Sequence, residues 1–124
     1  MKLLLSVTAI LEAITGFALV AAPSLFVSIM LGSPLDVPVE MIIARIAGTA
    51  LFSLAIACWL SRNNEGASGV VKAMLLYNAV VAALLVYAGL ATGLTGIGLW
   101  PAVLLHAGLA VWCVVSHRGK KFVA

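Results

Sequence analysis

Four side chains in this sequence carry chemistry into runs that are otherwise apolar: Glu12, Arg45, Asn78 and His106. Each stands alone in its own hydrophobic stretch, so the pattern supplies one carboxylate, one guanidinium, one carboxamide and one imidazole. An acid and a base placed in an apolar medium can hold each other as an ion pair, or they can bind a proton, an ion or a small ligand. The neighbours point to polar stripes on helices. Thr8, Glu12 and Thr15 recur at i, i+4 and i+7, and Arg45, Thr49 and Ser53 recur at i, i+4 and i+8. Both spacings put their members on one helical face, and both stripes are expected to point inward, with Arg45 reaching Glu12. His106 is expected as a hydrogen-bonded interior histidine. The structural role of the cluster, locking helices in register, weighs slightly more than a ligand site.

Other chemistries have little to stand on. His117 lies far from His106, and Cys58 and Cys113 form no close pair, so no metal site and no CxxC motif is expected. The cysteines read as small apolar packers. The glycines of the 91–98 stretch lack the lysine and the preceding strand of a phosphate-cradling loop. No catalytic residue and no cofactor is assigned.

The elements that must position these residues follow from composition. Of 124 residues 65% are hydrophobic and only 9% are charged, a balance that cannot clothe a small soluble domain in polar side chains. A membrane span takes about 20 apolar residues, so four spans use nearly the whole chain. The expected fold is all-α: an integral membrane four-helix bundle with short loops, one transmembrane domain over 1–124, with spans at about 3–22, 39–60, 70–90 and 99–116. Pro23 ends the first run, and residues 24–31 read as a short helix along the membrane interface. Asp36, Pro38 and Glu40 suit a helix start, where carboxylates meet the positive end of the dipole. The opening run imitates a signal peptide, but Glu12 and the continuation to Leu31 favour a retained span.

The net charge of +3 does not indicate nucleic acid, because the basic residues flank the apolar runs. Lys2, Arg62, Lys72, Arg118, Lys120 and Lys121 occupy the N-terminus, the second loop and the tail, which places both termini in the cytoplasm. Trp59 and Trp112 then fall at the inner interface, and Tyr87 and Trp100 at the outer one.

Several stretches carry a resemblance: residues 22–25 (APSL), 45–48 (RIAG), 57–60 (ACWL), 74–78 (MLLYN) and 100–106 (WPAVLLH). Together they resemble a recurrent type of small bacterial membrane protein, and the helix count with an Arg-x-x-Gly in a span is similar to the broader DoxX-like four-helix group. The resemblance implies a multi-pass protein of the bacterial inner membrane and brings no catalytic residues with it. Residues 9–16 (AILEAITG) are also similar to the first helix of small multidrug resistance transporters, in which a lone membrane glutamate drives proton-coupled export. Arg45 departs from that pattern, as does the missing tryptophan of the third helix. The expectation is an accessory or assembly protein that binds a small hydrophobic ligand among its helices, with a lipid bilayer around it and a membrane-protein partner or a second copy beside it. A proton-coupled transporter is the alternative, and a membrane enzyme ranks third.

Overall fold

The computed structural model describes residues 1–64 and 66–119; Lys120 and Lys121, which enter the charge argument for orientation, lie outside the described residues. The described chain is all-helical, with five helices: α1 (Lys2–Ala21), α2 (Pro23–Leu31), α3 (Pro38–Ser61), α4 (Ser68–Ala91) and α5 (Leu99–Gly119). Four of them, α1, α3, α4 and α5, are long and apolar enough to cross a membrane. The fifth, α2, is a nine-residue helix.

Local chemistry sets the helix ends. Pro38 opens α3 at a position where a missing N–H costs nothing, and the Glu40 carboxylate accepts the N–H groups of Asp36 and Val37 at 3.2 and 3.4 Å. At the end of α2, Gly32 takes φ +79°, the left-handed conformation that terminates helices, and its N–H bonds back to the Ser28 carbonyl. The linker to α3 is then pinned: the Leu35 N–H donates to Ser24 Oγ at 3.0 Å, and the Ser24 hydroxyl donates to the Leu35 carbonyl at 3.3 Å.

Packing is organised as two close pairs, α1 with α3 and α4 with α5. The first pair meets at Gly16 and Gly48. A Cβ built on Gly16 would lie 2.6 Å from the Gly48 carbonyl oxygen, and one built on Gly48 would lie 2.7 Å from the Gly16 oxygen. Such backbone contact is the way small residues drive helix association without a hydrophobic force between helices.

The two pairs share a buried core at one end. Leu4, Leu5 and Ala9 of α1 meet Cys58 of α3, Val71 and Met74 of α4, and Leu109 and Cys113 of α5 in a buried core. These residues come from the N-terminal halves of α1 and α4 and the C-terminal halves of α3 and α5, so neighbouring helices run in opposite directions. At the other end α2 packs on α1, α3 and α5, and the Gly98 N–H donates to the Ile29 carbonyl at 3.0 Å, fastening the α4–α5 turn to α2. Large apolar side chains cover the outside, among them Ile43, Ile46, Leu60, Leu84 and Leu104, each 60% exposed or more. Water does not tolerate so much contiguous apolar surface on a stable monomer.

Candidate functional site

Glu12 sits one helical turn before the Gly16 crossing and is 3% exposed. Its carboxylate accepts a long hydrogen bond, 3.4 Å, from the Tyr77 hydroxyl of α4. The next residue on α4, Asn78, is fully buried, and its Nδ2 donates to the Met74 carbonyl one turn earlier at 2.8 Å. That bond fixes the amide, so Oδ1 turns toward α5 and lies 2.8 Å from His106 Nδ1. A carboxamide oxygen only accepts, so the imidazole must carry its proton on Nδ1. Tyr77 also sets its ring edge-on to His106, with centroids 5.7 Å apart and an interplanar angle of 78°. The result is one connected group across three helices: Glu12, Tyr77, His106 and Asn78.

Above this group lies a cavity of about 440 Å³. Phe26, Val27 and Met30 of α2, Val81 and Leu85 of α4, and Leu105 of α5 form most of its wall. Tyr77 and His106 form its polar floor, and Thr15 adds a hydroxyl from α1. His106 is half-buried, and its Nε2 has no hydrogen-bond partner among the described residues. The ring is thus held by Asn78 on one edge and left free on the other. Volume, apolar wall and a few convergent polar groups are the features of a small-molecule site. Below the floor, Thr8 is 1% exposed, and its Oγ1 has no hydrogen-bond partner among the described residues.

The structure brings three of the four sequence-selected residues together and leaves Arg45 out. Arg45 is exposed and lines a shallow outward groove with Ile42, Ile46 and Thr49; no ion pair joins it to Glu12. The Thr49 and Ser53 hydroxyls donate to the carbonyls of Arg45 and Thr49, both at 2.9 Å, on the same exposed face. The expected inward stripe on α3 is therefore corrected. The buried residues of α3 are Gly48, Ala55 and Cys58. A helix turns about 100° per residue, which carries Thr49 and Ser53 well over a quarter turn from that face. The small-residue contact with α1, not the charge, sets the rotation of α3.

Tyr77 is the member that sequence reasoning missed. Tyrosine in a membrane helix favours the interface, where its hydroxyl meets water. A tyrosine beside an asparagine in the middle of an apolar run was the available signal of a polar interior. Cys58 and Cys113 are free and buried in the shared core. Among the described residues no three His, Cys, Asp or Glu side chains converge as a metal site.

Comparison of the chain with protein-family models, with curated proteins and with solved structures finds no match.

Proposed function

We propose that the chain is a four-span protein of the bacterial inner membrane, with both termini in the cytoplasm, that holds a small hydrophobic ligand and serves as an accessory or assembly protein. The observation that carries this reading is the cavity of about 440 Å³, apolar in its wall and polar in its floor. The exposed apolar surface of the four long helices supports immersion in lipid. Arg45 supports a partner. An outward cation with no carboxylate beside it among the described residues fits a position where a membrane protein or a second copy supplies the opposite charge. The test is gentle extraction followed by mass spectrometry of what copurifies. A lipid-soluble molecule at one per chain is expected, and Ala102→Phe, which fills the cavity, should release it. An empty wild-type protein in native lipid would overturn the reading.

A second reading, a proton-coupled transporter, gains from one observation. The Glu12 carboxyl faces a tyrosine hydroxyl and not Arg45, so no fixed ion pair removes it from proton exchange. Proteoliposomes carrying a pH gradient should then move a hydrophobic cation, and Glu12→Gln should stop the movement. No transport above empty liposomes would dismiss this alternative.

A further inference from the structure

We infer that the cavity selects a neutral, lipid-soluble molecule bearing a hydroxyl group, bound with that hydroxyl on His106 Nε2. The inference rests on the ligand-binding reading above and adds the chemistry of the headgroup. It follows from where the donors of the floor have gone. The His106 Nδ1–H is spent on Asn78 Oδ1 and the Tyr77 O–H on Glu12; Asn78, which gives one N–H to the Met74 carbonyl, is fully buried and does not line the cavity. An apolar wall with no described carboxylate against the ring favours a single ring proton, the one held at Nδ1, so what His106 and Tyr77 still offer the cavity is lone pairs: Nε2 and the phenolic oxygen. An acceptor floor calls for a ligand that donates. Thr15 supplies a hydroxyl whose proton is uncommitted among the described residues, and a ligand oxygen can accept it. A hydroxyl meets both demands, since it donates and accepts with one atom.

The charge of the ligand follows from the wall. Among the described residues no carboxylate lines the cavity, because Glu12 lies beneath Tyr77 and is itself 3% exposed. An ammonium group would enter an apolar space without an anion in contact, which is far costlier than burying a hydrogen-bonded hydroxyl. An ether or an alkane of equal length would leave Nε2 without a partner once water is expelled, so the site should reject both. The ligand lies head-down at mid-bundle, with its apolar part among Phe26, Met30 and Leu85 beneath α2.

The experiment uses the full chain in lipid nanodiscs, with native mass spectrometry to count bound probe and ¹⁵N-histidine NMR to watch the ring. The probes are dodecan-1-ol, its methyl ether and dodecylamine. The alcohol should bind about tenfold better than the ether, although the ether partitions more readily into lipid. It should shift the His106 Nε2 resonance and leave Nδ1 protonated. In His106→Phe the preference for alcohol should vanish while some binding of both probes persists. Equal binding of alcohol and ether to the wild type, or an unmoved Nε2 signal, would overturn the headgroup assignment and leave the cavity reading intact. Preference for the amine would also overturn it, and would favour the transporter. Failure of all three probes to bind would overturn both this inference and the ligand-binding reading beneath it.

Discussion

Asn78 holds one hand on its own helix and the other on its neighbour, and that double grip decides what the imidazole of His106 can do. Replacing it with leucine removes the acceptor at 2.8 Å from Nδ1 and leaves the ring free to carry its proton on either nitrogen. Asn78→Leu should therefore give a mixture of tautomers in ¹⁵N NMR, where the parent shows Nδ1–H. Its effect on stability should stay near 1 kcal/mol, the scale of an interhelical hydrogen bond in lipid. Glu12 and Arg45 call for a different experiment. Direct partners lose less together than the sum of their separate losses, whereas independent sites add. With Arg45 exposed on the outer face of α3 and Glu12 bonded to Tyr77, the effects of Glu12→Gln and Arg45→Gln on unfolding in detergent should add to within about 0.5 kcal/mol. A coupling above 1 kcal/mol would mean that the two side chains meet after all.

At the scale of the element, hydropathy alone made the four long helices legible, because a run of apolar residues long enough to span lipid has few other fates. The short helix α2 was readable too, from Pro23 in front and Gly32 behind. What could not be read was the rotation of α3. A polar stripe at i, i+4 and i+8 marks a face without saying which way that face points, and Ala44 with Gly48 marks a competing one. Close backbone approach at Gly16 and Gly48 settled the competition, since an inward Arg45 would have required the helices to separate. Gly48→Leu should accordingly unfasten α1 from α3. A side chain there meets the Gly16 carbonyl and the Val20 N–H, backbone atoms that cannot step aside, so a loss of about 3 kcal/mol or failure to insert is expected. Ala50→Leu, on the exposed face of the same helix, should change stability by no more than about 0.5 kcal/mol. Thermal unfolding of the two variants in one detergent compares them directly.

Across the whole molecule, the closed end and the capped end differ in how they are built. The closed end has its buried core of leucine, methionine and cysteine, whereas the capped end has a cavity under a nine-residue helix. Exchange of backbone amides should follow this division, with the helix halves around Met74 and Leu109 protected longest and α2 shortest. Orientation in the membrane is a property of the entire chain, argued from lysines and arginines at the N-terminus, the 61–68 loop and the tail. Reporters fused after Ser61, after Thr95 and at the C-terminus should read inside, outside and inside. A periplasmic C-terminus would reverse the scheme. The polar group itself was only partly legible. Glu12, Asn78 and His106 stood out by type, but the residue that joins them, Tyr77, is amphipathic enough to pass for a packing residue until its neighbours in space are known.

The roof of the cavity bears on how the protein is made. α2 belongs to the first third of the chain, yet the bond that fastens it, from the Gly98 N–H to the Ile29 carbonyl, needs a residue that leaves the ribosome late. In the proposed membrane setting the α1–α3 pair can assemble while α4 and α5 are still being synthesised, because both residues of its Gly16–Gly48 contact precede them in the chain. Gly98 and His106 follow well after that pair, so a nascent chain stalled before Gly98 lacks both the latch and the imidazole of the floor. On the ligand-binding reading proposed above, a ligand offered during translation should find no complete site until His106 has joined the fold.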